Sequence, residues 1–299
     1  MDWDDLRVFL AVARSESLSG AGRVLKCDAA TVGRRIARLE EGFGAQLFVK
    51  SPQGYQLTEA GRRLAPHAEA AELAMTGAEE ELSGTAGSLT GQLRIGAPDG
   101  CANYLLPQVC AAICDANPGL EIQLLALPRV VNLSKREADF AITVSRPTGG
   151  RLTVQKLADY QLHLAADRAY LAQFPPILGR GDLRGHRMVG YIPDMIFDKE
   201  LDYLQETGAQ TVGLASNSVA VQMQMVRAGA GLGIVHDFAI PFCPEVSRVL
   251  PELIALKRTF WLVRHADDRR SERLSRLAEA LAQGIRAEVS RLEALAAKQ

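Results

Sequence analysis

The hydrophobic pattern of the first sixty residues predicts three short helices. The apolar residues of each segment recur at spacings of three and four, which places them on one helix face. They are Leu6, Phe9, Leu10 and Ala13 in the first segment, Leu18, Ala21 and Leu25 in the second, and Val32, Ile36, Leu39 and Phe43 in the third. Residues 26–28 make a tight turn between the second and third helices, and Asp28 is a good N-cap for the third. Two helices joined by such a short turn predict a helix-turn-helix.

The third helix carries small and cationic residues on the side opposite its apolar stripe. An arginine can bond two acceptors on a guanine edge, and small neighbours let the helix backbone approach the DNA major groove. A solvated cationic face is the alternative for an isolated helix, but the preceding helix and turn favour contact with DNA. The residues of this helix expected at the DNA are Ala29, Ala30, Thr31, Arg34, Arg38 and, at the edge of the stripe, Arg35.

Residues 47–58 predict a β-hairpin that follows the three helices as a wing. Two short extended runs flank the turn sequence Ser51-Pro52-Gln53-Gly54. Lys50 precedes that turn and Gln53 lies within it, and both are expected to contact DNA.

Residues 59–86 predict one long helix, followed by a short flexible joint at residues 83–88. Its apolar residues are spaced 4, 3, 4, 3 and 4 apart, which makes a heptad seam rich in alanine. The seam could join two copies of the chain, or the helix could pack on its own protein. The seam residues are Leu64, Ala68, Ala71, Met75, Ala78 and Leu82.

From residue 89 onward, short apolar runs alternate with helical patterns, which predicts an α/β domain with parallel strands. The predicted strands are residues 93–97, 121–127, 140–144, 162–165, 188–191, 211–215, 233–236 and 260–263. The predicted helices are residues 104–116, 130–137, 199–207 and 218–228. A last apolar stripe, from residue 274 to residue 295, predicts a long helix that either lies on the second half of this domain or provides a further self-association surface.

Ligands of open α/β sheets bind beyond the carboxyl ends of the strands, where helix N-termini offer free N–H groups. Asp99 either caps its own helix or meets a cationic group of the ligand. The residues expected to bind a ligand on this argument are Pro98, Asp99, Gly100 and Cys101 after the first strand, Pro128 and Arg129 after the second, Ser145 and Arg146 after the third, and Asn217 and Ser218 at the start of a later helix.

Several motifs resemble those of LysR-type transcriptional regulators. They are Phe9-x-x-Val12-Ala13, Ser17-Leu18-x-x-Ala21, Arg38-Leu39-Glu40-Glu41-x-x-Gly44-x-x-Leu47-Phe48 and Leu57-Thr58-x-Ala60-Gly61. The runs Asp139-Phe-Ala-Ile and Ala228-Gly-Ala-Gly-Leu-Gly-Ile234 resemble the effector domain of the same family. The sequence departs from the family pattern at Gly22, Ala29, Gly33 and Lys50.

The resemblance implies an α/β protein with an N-terminal all-α winged helix-turn-helix and an effector domain of two Rossmann-like lobes, similar to type 2 periplasmic binding proteins. The domains expected are a DNA-binding domain (1–58), a dimerising linker helix and hinge (59–88) and an effector domain (89–299), with lobe I at about 89–161 plus the C-terminal part and lobe II at about 162–265. The partners implied are double-stranded DNA, a small-molecule effector between the lobes, and copies of the chain in a homodimer and further in a homotetramer.

Charge and composition support this interpretation. The net charge of the chain is −1, but it is unevenly distributed. Residues 23–63 hold eight Lys/Arg against four acidic residues, a net charge of +4, so the rest of the chain has a net charge of −5. No run approaches the roughly 20 apolar residues of a membrane helix, and the N-terminus lacks the apolar segment of a signal peptide. Five cysteines without a disulfide framework fit a reducing compartment, so the protein is expected in the cytoplasm, away from membranes.

No cofactor or metal site is expected. The glycines of residues 229–233 lack dinucleotide-loop spacing and follow a helix rather than a strand. Cys101, Cys110 and Cys114 lack suitably spaced histidines, so they are expected to be buried apolar residues, with a thiol redox sensor as the alternative. The sequence therefore indicates a sequence-specific DNA-binding regulator rather than an enzyme. The alternative is a small-molecule-binding protein or α/β enzyme with an appended helical domain.

Overall fold

In the computed structural model, the chain forms two compact units, residues 1–87 and most of residues 88–299. The structure describes residues 2–51, 54–82, 89–126, 138–149, 151–209, 211–266, 268 and 271–299. Each unit has a hydrophobic core of its own.

The first unit confirms the three predicted helices and the hairpin. Its elements are α1 (Trp3–Ser15), α2 (Leu18–Leu25), α3 (Ala29–Phe43), β1 (Phe48–Ser51), β2 (Gly54–Leu57) and α4 (Glu59–Leu82). Phe9, Val32 and Leu39 are almost completely buried between the helices. Phe43, which the stripe predicted as buried, is 43% exposed because it is the last residue of α3, before the left-handed Gly44 that ends the helix.

The turn between α2 and α3 depends on a close backbone approach. Helix α2 ends at Lys26 in the left-handed conformation, with φ of 55°. A Cβ atom on Gly22 would lie 2.6 Å from the carbonyl oxygen of Cys27. Glycine therefore stands at this position because a side chain would push the turn away from the helix.

The wing is held to the helices by side-chain to backbone hydrogen bonds. The Glu40 carboxylate accepts from the N–H groups of Leu47 at 2.7 Å and Phe48 at 3.1 Å. The N–H of Tyr55 donates to the carbonyl of Glu16 at 2.8 Å. The motif residue Glu40 thus fixes the point where the chain leaves α3 for the hairpin.

Helix α4 packs its first half on its own unit, which corrects part of the predicted dimer seam. Ala68 is 1% exposed and belongs to the core of the first unit, and Leu64 packs against that core. Glu72, one turn further on, forms a bidentate ion pair with Arg14 of α1, with its closer contact at 2.6 Å. Ala68 is therefore covered by its own unit and not available to a partner, because the apolar stripe first meets α1, whereas Leu64 is half-buried and stays a predicted seam residue.

The second unit alternates strands and helices as predicted. The strands are β3 (Gly91–Ala97), β4 (Leu120–Ala126), β5 (Phe140–Thr143), β6 (Leu152–Asp167), β7 (Met188–Gly190), β8 (Leu214–Ala215), β9 (Leu232–His236), β10 (Val246–Arg248) and β11 (Ala255–His265). The helices are α5 (Asp99–Tyr104), α6 (Leu106–Ala116), α7 (Arg168–Leu171), α8 (Leu204–Thr207), α9 (Val219–Arg227) and α10 (Glu272–Ala296), with short 3-10 turns at Arg180–Leu183, Pro193–Met195, Lys199–Leu201 and Asp237–Phe242.

The described strands of this unit form one sheet in the order β4-β3-β5-β11-β6-β9-β7-β8, with β10 paired to β6. The strands β3, β4 and β5 are parallel, and so are β7, β8 and β9. Strands β3, β4 and β5 form a first lobe with helices α5 and α6. Strands β7, β8 and β9 form a second lobe with helices α8 and α9. The long antiparallel strands β6 and β11 pass through both lobes.

Several predicted elements differ from the structure. The predicted strands 162–165 and 260–263 are parts of the much longer β6 and β11. The predicted helix 104–116 corresponds to α6, which begins at Leu106, and the short helix α5 that precedes it was not predicted. The predicted helix 199–207 is a 3-10 turn followed by α8. The predicted helix 130–137 lies outside the described residues.

The C-terminal helix α10 buries its apolar stripe within its own unit. Leu277, Leu281 and Ile285 are completely buried. A Cβ atom on Gly284 would lie 2.6 Å from the side chain of Val109 in α6, so the helix packs closely on the first lobe. The helix also contacts β6 and the turn at 237–242. The expectation that it lies on the second half of the domain is confirmed in part: the helix contacts the turn that follows β9 of the second lobe, but it also packs on α6 of the first lobe.

Candidate functional sites

The first turn of α3 presents an ordered polar surface to solvent. The Asp28 carboxylate accepts from the N–H and the hydroxyl of Thr31, both at 2.8 Å, and these bonds lower the pKa of Asp28. The Arg34 guanidinium donates to the Thr31 hydroxyl at 3.0 Å. Ala30 and Arg34 are exposed, and Ala29 and Thr31 are half-buried. Thr31 therefore forms hydrogen bonds with both the N-cap residue Asp28 and the predicted DNA-binding residue Arg34.

The other two arginines of α3 are paired with acids of α1. Arg38 donates through Nε to the Asp5 carboxylate at 2.7 Å and through Nη2 to its second oxygen, and this pairing raises the pKa of Arg38. The Asp5 side chain is only 3% exposed. The Nη1 atom of Arg35 lies 3.4 Å from Oδ2 of Asp4 and 3.9 Å from Oδ1 of Asp5. Helical spacing placed both arginines outside the core, but it could not reveal their partners on another helix.

The wing contributes one exposed cation. Lys50 is exposed on β1, next to the exposed Val49. Gln53, the other predicted wing residue, lies outside the described residues.

Residues of both lobes line one pocket, here called the cleft pocket. Its volume is about 20 Å³, which is room for about one water molecule. Of the predicted ligand residues, Pro98, Asp99, Gly100, Cys101 and Asn217 line it. The lining residues not predicted from the sequence are Val144, Tyr191, Phe197, Leu201, Val219, His236 and Phe260.

Asp99 links the two lobes across the cleft pocket. Its carboxylate accepts from the hydroxyl of Ser218 at 2.9 Å and from the N–H of Ala220 at 2.8 Å, both at the N-terminus of α9. Its other contact is from the Asn103 amide at 3.0 Å. Helix α5 has Pro98 at its N-cap and no side-chain cap. The expectation that Asp99 caps its own helix is therefore wrong, since the carboxylate caps a helix of the other lobe.

A second link joins the lobes near the carboxyl end of β5. The Ser145 hydroxyl donates to the carboxylate of Asp198. Arg146 is exposed and stacks over the Trp261 ring, with 5.7 Å from the guanidinium carbon to the ring centroid, and is not among the described lining residues. Pro128 and Arg129 lie outside the described residues.

The floor of the cleft pocket is aromatic and contains a neutral histidine. Burial lowers the pKa of His236 to about 3. Its Nδ1 atom is buried without a hydrogen-bond partner in the described part of the chain. The imidazole stacks on Tyr160, which stacks on Phe260 with ring centroids 4.1 Å apart. A Cβ atom on Gly100 would lie 3.2 Å from the imidazole, so glycine lets α5 close over this floor.

His236 could have been found by the same rule that located the other loops. It ends β9, a parallel strand of the second lobe, at the carboxyl end where ligands bind. The same rule could not identify Phe260, because this residue lies in the middle of the antiparallel strand β11 rather than at the carboxyl end of a parallel strand.

The cysteines of the second unit are weak candidates for redox or metal chemistry. Burial raises the pKa of the Cys110 thiol to about 12 and that of the Cys101 thiol further, and only thiolates react readily. Within the described ranges, no three His, Cys, Asp or Glu side chains are grouped to hold a metal ion. No helix in the described part of the chain is long and apolar enough to span a membrane.

Comparisons with known proteins agree with both halves of this arrangement. Residues 3–62 match the model of the bacterial regulatory helix-turn-helix protein, lysR family, and residues 86–286 match the LysR substrate binding domain. The chain is 28% identical over 247 residues to the HTH-type transcriptional regulator PtxR of Pseudomonas aeruginosa, covering 80% of this chain and 78% of PtxR.

Solved structures show the same fold. The LysR-type regulator CrgA of Neisseria meningitidis superposes with a TM-score of 0.59 at 22% identity, covering 95% of this chain and 99% of CrgA. Full-length OxyR of Pseudomonas aeruginosa gives a TM-score of 0.71 at 17% identity, covering 95% of this chain and 94% of the OxyR chain. Together, the winged helix-turn-helix, the two-lobed α/β domain and the match of both family models show that this chain belongs to the LysR family of DNA-binding transcriptional regulators.

Proposed function

We propose that this chain reads its operator with the first turn of α3 and with the wing, as a homodimer, and that a small molecule in the cleft pocket controls it. Residues 1–58 would form the DNA-binding domain, residues 59–88 the dimerising linker helix and hinge, and residues 89–299 the effector domain. The observation that carries the proposal is the pair of hydrogen bonds from Ser218 and Ala220 of the second lobe to the Asp99 carboxylate of the first lobe. Because Asp99 also lines the cleft pocket, a ligand there would change how the two lobes are held together.

Base reading would fall to Arg34, supported by Ala29, Ala30 and Thr31. Arg34 is exposed and is held at the first turn of α3, which is the part of a recognition helix that reaches base edges. Arg35 and Arg38 would act on the phosphate backbone, because their pairing with α1 acids holds them at the side of the helix. Lys50, with Gln53, would add wing contacts to the backbone.

Arg34→Ala is expected to abolish sequence preference while leaving the fold intact. A good arginine–guanine pair contributes roughly 1–3 kcal/mol of discrimination, or about 5- to 150-fold. The operator is first selected from a random DNA pool, and competition binding then compares it with a scrambled site. Lys50→Ala is the comparison variant, which should weaken both sites alike and lower the salt slope by about one unit. Undiminished preference in Arg34→Ala would refute the assignment.

The cleft pocket would take an uncharged or cationic effector. Among the described lining residues, Asp99 is the only charged side chain, and the buried His236 imidazole is neutral. An anionic ligand would meet a carboxylate with no cation from that lining to offset it. An effector that donates a hydrogen bond could instead pair with the free Nδ1 of His236. The lining offers no activated nucleophile, which supports a binding role without catalysis.

Effector binding would require the lobes to separate. A volume of about 20 Å³ is too small for any metabolite, so the ligand must stabilise a more open arrangement in which Asp99 leaves Ser218. A ligand that binds one arrangement better shifts the population toward it. The linked DNA-binding units would then respond to the effector through this shift.

Asp99→Ala should loosen the lobes without unfolding them. Hydrogen bonds to a charged group contribute about 1.5–3 kcal/mol, so opening at this link should become about 10- to 150-fold more frequent. Amide hydrogen exchange at Ala220, whose N–H now donates to Asp99, measures the opening. Asp115→Ala removes an exposed carboxylate from α6 and serves as the control. Equal exchange in the two variants would contradict the role of Asp99 as a link.

The homodimer would form through the second half of α4. Met75 is 46% exposed, and Ala71 and Ala78 lie on the same stripe, half-buried and exposed respectively. The Leu82 side chain, the last of the predicted seam, lies outside what the structure describes. Pairing of two such dimers would give the homotetramer.

A further inference from the structure

The second lobe contains a larger cavity that none of the predicted site residues lines. Its volume is about 180 Å³, several times that of the cleft pocket. Its lining includes Met188, Val189 and Gly190 of β7 and Ile234 of β9, together with residues of the segment between β7 and α8. It is here called the lobe cavity.

The walls of the lobe cavity are mostly apolar. Among the lining residues that the structure describes, Asp202 is the only one with a carboxylate or a basic group. Two polar side chains of the lining have partners within the lobe: the Gln222 amide donates to the Ser216 carbonyl and the Thr207 hydroxyl to the Leu204 carbonyl, both at 2.7 Å. The Tyr203 hydroxyl is buried without a hydrogen-bond partner in the described part of the chain. Burial raises the pKa of Tyr203, so its hydroxyl stays neutral. The walls therefore favour an uncharged occupant.

The size of the lobe cavity matches a single ring. An engineered apolar cavity of about 150 Å³ in another protein stays dry and binds benzene. Moving the apolar surface of a ring from water into such a site is favourable. A carboxylate placed there would lose its hydration and would lie near Asp202.

We propose that the lobe cavity is a second ligand site, for a small, uncharged, ring-sized apolar molecule. Tyr191 and Leu201 line both this cavity and the cleft pocket, so they form a wall between the two. A ligand in the lobe cavity fixes the position of this wall and thereby changes the shape of the cleft pocket. Because coupling between two sites is reciprocal, an effector in the cleft changes affinity for the apolar ligand by the same factor.

The first test uses the full chain with toluene and with benzoate at pH 7. The two probes share a ring and differ in the charged group. Toluene should bind with a dissociation constant of about 1 mM or tighter and raise the melting temperature of the second unit, whereas benzoate should do neither. Ligand-observed saturation-transfer NMR detects the binding. Absence of toluene binding, or equal binding of the two probes, overturns the proposal, and neither result bears on DNA binding.

The second test locates the site with matched substitutions. Val212→Phe fills the lobe cavity, and Val221→Phe makes the same change on α9, where Val221 is 43% exposed and does not line the cavity. Toluene affinity should fall at least tenfold in Val212→Phe and stay unchanged in Val221→Phe. Ile196→Phe replaces Val212→Phe if circular dichroism shows that the latter does not fold. Equal affinities in the filled and control variants would place toluene elsewhere and refute the proposed site.

Discussion

Phe9→Ala is expected to unfold the first unit while the second unit stays folded. Phe9 is completely buried, and its ring centroid lies 5.2 Å from that of Phe48 at the start of the wing. Removing a buried phenylalanine side chain costs about 3–5 kcal/mol, which approaches the whole stability of a small domain. The two units have separate cores, so the loss should stay within the first.

Thermal unfolding followed by circular dichroism and by amide hydrogen exchange measures this effect. The exchange protection of α1 to α3 should disappear at 25 °C, that of β6 and β11 should remain, and DNA binding should be lost. Phe43→Ala is the matched control, because Phe43 is 43% exposed and its loss should change the free energy of unfolding by less than about 1 kcal/mol. If the two variants lose protection equally, Phe9 is not central to this core.

Met75→Glu is expected to convert the proposed homodimer to monomers. The substitution places a carboxylate on the exposed stripe of each α4, and burying an unpaired charge costs several kcal/mol per ion. A monomer contacts one half-site only, so operator affinity should fall at least 100-fold although the first unit stays folded. Sedimentation velocity gives the assembly state, and filter binding gives the affinity.

The control for Met75→Glu lies on the same helix. Ala70 is exposed and, at the helical repeat, lies on the opposite side of α4 from Met75. Ala70→Glu should therefore sediment as the parent protein does. Glu72 is unsuitable as a control because it is paired with Arg14. If Met75→Glu also sediments as the parent, the pairing surface does not include this stretch of α4.

The sequence predicted local structure well because helical and strand periodicities report which face of a segment is buried. The N-cap at Asp28, the turn at Lys26 and the stripe of α3 all follow from neighbours within four residues. The partners of Arg38 and Asp99 did not follow, because Asp5 and Ser218 lie 33 and 119 residues away. Spacing gives a face but does not give the element that covers it.

The same reasoning explains the errors in the linker helix and in the sheet. Helix α4 carries the heptad pattern, but part of its first half packs on α1 of the same chain, so Ala68 is not available to a partner. In the sheet, polar residues interrupt β6 and β11 where one face is exposed, so the sequence indicated only the apolar core of each strand. The sequence therefore did not reveal that one sheet runs through both lobes.

The continuity of β6 and β11 joins the two lobes through one antiparallel ribbon. The ladder between these strands skips one residue at Phe260/Trp261, and a bulge of this kind bends the strand and increases its local twist. The bulge lies beneath the cleft pocket, where Phe260 stacks on Tyr160, and the Leu157 carbonyl opposite it accepts from Arg286 of α10 at 2.7 Å. Through Arg286, the C-terminal helix is therefore anchored at the point where the ribbon shared by the two lobes bends and twists.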